Sequence, residues 1–412
     1  MVSANPKLHI LPVAGVRWGV VYAGIKSSAE YPSNDLALME LASSSQCAAV
    51  FTQNAFCAAP ITVAKNKLAS IVEQKNSSAI YLLINSGNAN AGTGDEGYRA
   101  AELSCQLVAE SINCDAQQVL PFSTGVIGQS LPVEKIQAVS DALNASLSTD
   151  SWSLAAEAIM TTDTVAKGFS RTMDIDGKSV TVSGICKGAG MIRPNMATML
   201  AYVATDAELD SKNLEELLDH VVQCSFNRIT VDGDTSTNDA CVLAATGQSG
   251  IKLDNKHDAW DEFKSMLRLL FVDLATAIIR DAEGASKFIT IDVKGGRSSA
   301  ECLQVAYAVA ESPLVKTAFF ASDANWGRIL AAVGRAGVEH LDVDVIEIYL
   351  DHLLICQQGG QASTYDEQQA MKIMGQQDIS VTIDLQRGSV DERVWTSDLS
   401  LDYVHINADY RS

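Results

Sequence analysis

The residue with the most distinctive chemical setting is Thr198. It lies between a loop rich in glycine and proline (186–194) and a short apolar run (199–203), which predicts a buried strand. A threonine hydroxyl is a weak nucleophile unless a base activates it, and the α-amine of an N-terminal threonine is one such base. Thr198 gains that amine only if the Ala197–Thr198 bond is cut, and its own hydroxyl can attack the Ala197 carbonyl to cut it. The spacing alone leaves a simpler interpretation open, because most threonines before an apolar run merely begin a strand.

The whole string around Thr198 adds a family resemblance. CKGAGMIRPNMATMLAYV at 186–203 closely resembles the processing site of the ornithine acetyltransferase family (glutamate N-acetyltransferase, or ArgJ), which is cleaved before the threonine of an Asn-Met-Ala-Thr-Met-Leu segment. The resemblance extends along nearly the entire chain. It implies self-cleavage between Ala197 and Thr198 into an alpha chain (1–197) and a beta chain (198–412), with Thr198 both nucleophile and part of the substrate site.

The bulk composition is that of a globular protein. The chain has 412 residues, 47% of them hydrophobic and 19% charged, enough for a large core and two or three domains. Its formal net charge of −20 argues against nucleic acid or an anionic membrane as a partner, because no basic face is expected to persist in such an excess.

The cysteine and histidine patterns predict reduced thiols and no metal site. Nine cysteines occur singly, without a Cys-x-x-Cys pair, and six histidines show no metal-ligand spacing. The first twenty residues lack the apolar core of a signal peptide, and we find no apolar run long enough to span a bilayer. We therefore expect a cytoplasmic protein. No cofactor is expected; acetyl-CoA is a co-substrate in the bifunctional form of the family.

The order of helices and strands predicts a mixed α/β protein of layered sheets and helices. Buried strands are expected over 47–52 and 78–84, and a hairpin is expected at Asp176-Gly177. An amphipathic helix is expected over 258–281, with Gly284 as its C-cap. The irregular alternation of these elements is not a strict βαβ rhythm. The resemblance, not the pattern, implies the ArgJ/DmpA-like topology.

One motif points to a different function. GTGDEG at 92–97 matches the dinucleotide fingerprint G-x-G-x-x-G. The fingerprint requires its first glycine directly after a strand, whereas seven residues separate Gly92 from the strand predicted to end at 84. Asp95 and Glu96 would also face the phosphates, so the nucleotide interpretation is disfavoured.

A second loop is a candidate oxyanion hole. Thr124-Gly125 can place a hydroxyl and a backbone N–H side by side, although by spacing alone an ordinary glycine turn is the better interpretation. The resemblance reverses that preference, because the oxyanion hole of the family is built from a matching Thr-Gly pair.

Other predicted site residues also depend on the resemblance. Lys187, eleven residues before the nucleophile, matches a lysine in the family's substrate site, and Thr161 matches a substrate-binding threonine. Glu283, near the unfavourable end of a predicted helix, either pairs with a nearby Arg280 or Lys287 or contacts the cationic amino group of the substrate. The C-terminus is expected to fold back over the site. The matching substrate-binding positions in it are Asn407 and Ser412.

The favoured function is acetyl transfer from N-acetylornithine to glutamate in arginine synthesis, through an acetyl-Thr198 intermediate. The partners implied are these small molecules, the two chains of one precursor, and further copies of the processed unit in a homo-oligomer. Two alternatives stay open. One is an N-terminal-threonine amidase or aminopeptidase of similar fold, and the other is a binding protein that never cleaves itself.

Overall fold

The computed structural model describes residues 8–26, 33–73, 77–193 and 199–409. Within these ranges sixteen strands form three sheets, and eleven α-helices pack around them, which confirms the predicted α/β architecture of layered sheets and helices. The strands are β1 Val16–Val21, β2 Leu36–Leu41, β3 Gln46–Phe51, β4 Ile80–Asn88, β5 Val119–Val126, β6 Lys167–Ile175, β7 Lys178–Lys187, β8 Leu200–Thr205, β9 Ile229–Thr230, β10 Ala240–Ala245, β11 Phe288–Gly296, β12 Glu347–Leu350, β13 Leu353–Gln357, β14 Gly360–Gln361, β15 Asp378–Asp384 and β16 Val390–Ser397. The helices are α1 Ala59–Glu73, α2 Gly94–Ile112, α3 Val133–Ala145, α4 Trp152–Ala158, α5 Ser211–Gln223, α6 Trp260–Arg280, α7 Ser299–Ala310, α8 Pro313–Phe320, α9 Trp326–Gly334, α10 Glu367–Met374 and α11 Leu401–Asp409.

Two of the sheets stack face to face. The first has the order β1-β2-β4-β5, and the second has the order β3-β10-β8-β7-β6. In the first sheet β4 and β5 run parallel and the other neighbours are antiparallel. In the second sheet β8 and β10 form the parallel pair.

The alternation of side chains along the strands produces four layers. On β4, Leu82 joins the apolar core between the two sheets, whereas Leu83 joins the core beneath α2 and α3. On β8, Tyr202 lies in the core between the sheets, whereas Val203 packs toward α5 and α6. Because successive side chains of a strand point to opposite faces, each sheet is buried on both sides. The order of layers is helix, sheet, sheet, helix.

The third sheet has its own core. Its order is β14-β13-β12-β15-β11-β16-β9, and helices α7 to α10 supply apolar side chains to its packed face. Strand β9 follows α5 in the chain and pairs with β16. This pairing links the third sheet to the layered part of the molecule. After β16 the chain enters α11, none of whose side chains is buried.

Several local predictions are confirmed. The hairpin at Asp176-Gly177 joins β6 to β7, and both residues have positive φ (53° and 73°), as a two-residue hairpin of this type requires. The long helix predicted over 258–281 is α6.

Two predicted ends of elements are wrong. The C-cap of α6 is Asp281, whose N–H bonds back to the last turn. Gly284 instead lies in the turn beyond it with φ +67°, where a Cβ would come within 2.6 Å of the Tyr403 nitrogen. Strand β4 continues to Asn88, past the predicted end at 84, because its pairing with β5 extends, with an irregularity after Gly87, as far as Asn88 and Val126. Only residues 89–91 therefore separate β4 from Gly92.

In the described ranges, no helix combines the length and apolar character needed to cross a membrane.

Candidate active site

Six residues predicted for the site line one cavity. Its volume is about 210 Å³, and these residues are Thr124, Gly125, Thr161, Lys187, Glu283 and Asn407. They come from five separate parts of the chain, between β5 and α11. Two larger clefts, of about 810 and 540 Å³, lie along strand β3 and contain none of the predicted residues. We identify the smaller cavity as the candidate site because it is where the residues with suitable chemistry converge.

Thr124 and Gly125 lie near the end of β5, where its pairing with β4 becomes irregular. Gly125 has φ +132°, and a Cβ there would lie 2.3 Å from the carbonyl carbon of Gly87, so no other residue fits. Thr124 is 6% exposed. The irregular strand end thus places a hydroxyl and a glycine N–H together at the wall of the cavity, the donor pair that an oxyanion hole requires.

Lys187 ends strand β7 and also lines the cavity. Its Nζ donates a hydrogen bond to the Thr161 hydroxyl at 3.2 Å. Burial lowers the pKa of Lys187, and the carboxylates of Asp163, Asp239 and Glu283 act in the other direction. A partly desolvated ammonium with several nearby acids is suited to bind a carboxylate of a substrate.

Asp163 holds Thr161 and Lys187 in place. Its carboxylate accepts the N–H of Gly188 at 2.7 Å and that of Thr161 at 3.0 Å. It also pairs with the buried ammonium of Lys167 at 2.6 Å, which in turn pairs with Asp281 at 2.5 Å. Burial alone would raise the pKa of Asp163, but Lys167, Lys187 and the Gly188 N–H outweigh it and lower the pKa to about 2.

The low pKa of Asp163 makes stability depend on its ionisation. A carboxyl group with a depressed folded-state pKa contributes stability above its unfolded pKa of about 3.9, and this contribution is lost as the pH falls toward 2. We expect Asp163→Asn to lower the free energy of unfolding at pH 7 by about 3 kcal/mol, because it leaves a buried lysine with one partner instead of two.

Urea unfolding at pH 7 and at pH 3 measures this effect. The difference between Asp163→Asn and the unchanged protein should shrink at pH 3, because the Asp163 carboxyl group of the unfolded chain is already mostly protonated there, whereas the native one, with a pKa of about 2, is still mostly ionised. The exposed Asp174 on β6 serves as the matched control, and Asp174→Asn should change stability by less than about 1 kcal/mol. A loss for Asp163→Asn that is equally small would contradict the structural role of the pair.

Glu283 and Asn407 form another part of the wall. Asn407, on α11, donates its side-chain N–H to Glu283 Oε2 at 2.8 Å. The carboxylate needs the space beside Gly190, where a Cβ would lie 2.4 Å from Oε2. The two residues are 124 positions apart in sequence. The expected return of the C-terminal segment to the site is therefore present as far as Asn407.

The structure does not support one of the two interpretations of Glu283, pairing with Arg280 or Lys287, and its contact with a substrate cation stays a prediction. Arg280 pairs with Asp378 at 2.6 Å, and Lys287 donates to the Ser322 hydroxyl at 3.0 Å. Within the described part of the chain, neither cation pairs with Glu283. Its carboxylate is thus available at the cavity for a positively charged group, while Lys187 offers the opposite charge.

Three predicted residues, Ala197, Thr198 and Ser412, lie outside the described residues. The chain is described up to Arg193 and again from Met199, so the segment between them separates two stretches that both contribute to the site. In the stretch that ends at Arg193, the N–H groups of Met191 and Ile192 donate to the Asp232 carboxylate at 2.6 Å and 2.9 Å. These bonds fix the strand-to-loop segment that leads to Thr198.

Sequence reasoning missed the residues that support the site. Asp163 and Lys167 are four positions apart, a spacing that favours ion pairs on helices, but they lie on a loop and at a strand start. Asn238 donates to the carbonyls of Ala89 at 2.7 Å and Ser123 at 3.0 Å, tying the start of β10 to the oxyanion segment. Its place in the run 227–239, which is rich in Asp, Asn, Thr and Ser, was the signal that could have singled it out.

A mixed α/β fold of stacked sheets, with an oxyanion-type donor pair, a lysine and a carboxylate around one small cavity, defines an acyl-transfer enzyme as the class that fits. The model of the ArgJ family matches residues 17–412. The chain belongs to the ArgJ family.

Individual relatives agree with the family match. The chain is 51% identical over 410 residues to the arginine biosynthesis bifunctional protein ArgJ of Pseudomonas fluorescens (99% of this chain, 98% of the relative). It is 50% identical over 409 residues to the protein of the same name from Pseudomonas syringae pv. tomato (99% and 98%). A crystal structure of the protein of that name from Bacillus halodurans shares 38% identity, covers 50% of this chain and 96% of its own, and has a TM-score of 0.48. The family model and the two Pseudomonas relatives confirm the family resemblance in the sequence.

Proposed function

We infer that this protein is an acetyltransferase of arginine biosynthesis that moves the acetyl group of N-acetylornithine to glutamate. The observation that carries the inference is the near-complete match to relatives named for arginine biosynthesis, combined with a cavity that presents both a lysine and a carboxylate. A substrate with an α-carboxylate and a side-chain ammonium requires both charges. The amidase alternative is not favoured, and the binding-protein alternative does not account for the donor pair at Thr124 and Gly125.

The chemistry begins with self-cleavage before Thr198. The Thr198 hydroxyl adds to the Ala197 carbonyl, the bond to the Thr198 nitrogen breaks, and water hydrolyses the resulting ester. The products are the chains 1–197 and 198–412, with a free α-amine on Thr198. Such an amine has a pKa of about 7.7–8.0, which suits a general base near neutral pH.

The first half-reaction transfers the acetyl group to the enzyme. The α-amine takes the proton of the Thr198 hydroxyl while the oxygen attacks the acetyl carbonyl of N-acetylornithine. The Thr124 hydroxyl and the Gly125 N–H stabilise the resulting oxyanion. Collapse breaks the amide bond, the leaving nitrogen receives the proton, and ornithine departs from an acetyl-Thr198 ester.

The second half-reaction reverses these steps with glutamate. Its neutral amine attacks the ester carbonyl, the same donors hold the oxyanion, and the Thr198 oxygen regains a proton as N-acetylglutamate leaves. Lys187 pairs with the α-carboxylate shared by both amino acids. Glu283 pairs with the side-chain ammonium of ornithine, and Thr161, Asn407 and Ser412 provide polar contacts for either side chain.

Further properties follow from the relatives and from the sequence. The relatives are named bifunctional, and we propose that acetyl-CoA is a second acetyl donor, so that the enzyme also acetylates glutamate directly. We also propose a cytoplasmic location and association of two or more processed units. No cofactor takes part in the proposed steps.

Ping-pong kinetics test the proposed function. Double-reciprocal plots for N-acetylornithine against glutamate should be parallel, and donor alone should add about 42 Da, one acetyl group, to the 198–412 chain. An amine acceptor positioned in the site has an effective molarity of about 10⁵ M or more, which allows it to react ahead of water. Intersecting lines without an adduct would contradict the covalent route. Acetate released equally fast with and without glutamate would favour the amidase.

A further inference from the structure

The C-terminal helix α11 packs against the rest of the molecule mainly through one side chain. Of its residues 401–409, Tyr403 alone is partly buried, and its ring packs against the core that α5 and α6 share with the second sheet. The other side chains of α11 are exposed. The turn at Gly284 lies against the start of the helix, since a Cβ there would come within 2.6 Å of the Tyr403 nitrogen. A helix with so little buried surface depends on specific contacts for its position.

The hydroxyl of Tyr403 is bonded to a carboxylate that also holds a wall of the cavity. It donates to Asp232 Oδ2 at 3.2 Å. The same carboxylate accepts the N–H groups of Met191 and Ile192, and Met191 lines the cavity. Burial and the nearby Asp232 carboxylate raise the pKa of Tyr403, so its hydroxyl stays protonated and can donate. Tyr403 therefore ties α11 to the loop that follows β7.

One turn further along α11, the side chain of Asn407 connects Tyr403 to Glu283. Its NH₂ group donates to the Tyr403 carbonyl at 3.0 Å and to Glu283 Oε2 at 2.8 Å. Both hydrogens of the amide are used in these two bonds, which fixes its orientation. The position of Tyr403 thus determines where Asn407 holds the Glu283 carboxylate, and both of these residues line the cavity.

We propose that Tyr403 is a positioning residue that sets the specificity of the site for a donor with a side-chain ammonium group. By anchoring α11 to Asp232, it holds the Asn407 amide on Glu283 Oε2 and so keeps Oε1 for the cation. The proposal rests on the proposed function, because the cation it assigns to Oε1 is the side-chain ammonium of N-acetylornithine. Tyr403 itself is assigned no bond to substrate and acts on the donor through Asn407 and Glu283.

Tyr403→Phe tests the proposal. Phenylalanine keeps the ring that packs against the core, and Asp232 keeps its backbone N–H donors, so we expect the variant to fold and to cleave itself. The KM for N-acetylornithine should rise about tenfold, the effect expected from the loss of one hydrogen bond to a charged group, while kcat changes by less than about twofold. The kcat/KM for glutamate should change by less than about threefold, because glutamate has no side-chain ammonium for Glu283.

A double-mutant cycle shows whether Tyr403 acts through Asn407. Asn407→Ala removes the amide that connects Tyr403 to Glu283. Adding Tyr403→Phe to Asn407→Ala enzyme should then raise the KM for N-acetylornithine by less than about twofold. A purely structural role of Tyr403 would instead give the same increase in both backgrounds. Steady-state kinetics on cleaved enzyme, with thermal stability measured in parallel, supplies the comparison.

Tyr349→Phe is the matched control. The Tyr349 hydroxyl donates to the Glu347 carboxylate at 2.6 Å on β12 of the third sheet, so the variant loses the same kind of bond away from the cavity and should keep its KM. An unchanged KM in Tyr403→Phe, independent effects in the cycle or a fall in kcat alone would overturn the proposal, and so would a loss of self-cleavage or of thermal stability in that variant. If the unchanged enzyme transfers no acetyl group, the proposed function fails and this inference with it. If it transfers acetyl and Tyr403→Phe has the same KM, only this inference fails.

Discussion

Replacing Thr198 by alanine should yield a single uncut chain of 412 residues with no measurable acetyl transfer. Alanine lacks the hydroxyl that attacks the Ala197 carbonyl, so the bond survives and no α-amine forms. The same hydroxyl is the nucleophile of both half-reactions. Removing a catalytic nucleophile lowers kcat by about 10⁴-fold or more in enzymes of this kind, and here the base is lost with it.

Intact mass spectrometry and a transfer assay measure the two consequences separately. The unchanged protein should give the chains 1–197 and 198–412, and Thr198→Ser, which keeps a hydroxyl, should still be cut. Thr172→Ala, on an exposed position of β6, is the matched control and should behave like the unchanged protein. An unchanged protein that remains full length after prolonged incubation would remove the first step of the mechanism.

Lys187→Ala should lower kcat/KM for N-acetylornithine by about 30-fold to several thousand-fold. The loss of one partner of a buried charge pair costs roughly 2–5 kcal/mol, and the whole cost appears in kcat/KM if the transition state keeps the contact. Glu283→Gln should cause a loss in the same direction for N-acetylornithine. Its effect on glutamate should be smaller, because glutamate carries no side-chain ammonium.

This asymmetry between donor and acceptor is the most specific part of the charge assignment. Steady-state kinetics on cleaved enzyme measures it, with self-cleavage checked first so that a processing defect is not mistaken for a binding defect. Lys178→Ala, at the exposed start of the same strand β7, is the matched control for Lys187. Glu262→Gln, on the exposed part of α6, is the control for Glu283. Wild-type kinetics in cleaved Lys187→Ala enzyme would contradict the role of Lys187 in binding the substrate carboxylate. The same result for Glu283→Gln would contradict the role of Glu283 in binding the side-chain ammonium.

The position of the cavity explains why these charges act together. Thr124 lies near the end of β5 in the first sheet, and Lys187 ends β7 in the second sheet, so the site forms where strand ends of two stacked sheets come together. Asn238 bridges the two sheets through the carbonyls of Ala89 and Ser123. A site supported by hydrogen-bonded strand ends is held more rigidly than one built on a free loop.

The sequence by itself determined the local elements and the chemistry of individual positions. The hairpin at Asp176-Gly177, the helix α6 and the apolar strand after Thr198 follow from side-chain periodicity and turn chemistry, which depend on near neighbours. The string around Thr198 also identified the family, because a cleavage motif is read from consecutive residues. The cleavage itself, and the roles of Thr198 and Ser412, stay predictions.

The tertiary structure decided which distant residues meet. The pairing of Lys167 with Asp281 joins positions 114 apart, and that of Asn407 with Glu283 joins positions 124 apart. The periodicity of side chains in the sequence cannot predict such contacts, because they depend on the order of strands in the sheets and on the path of α11. The same holds for the end of α6, where the ion pair to Lys167 accommodates Asp281 at a helix C-terminus that otherwise disfavours a carboxylate. Tyr403 shows the limit most clearly, because only the fold of the chain brings its hydroxyl within 3.2 Å of the Asp232 carboxylate, 171 positions earlier.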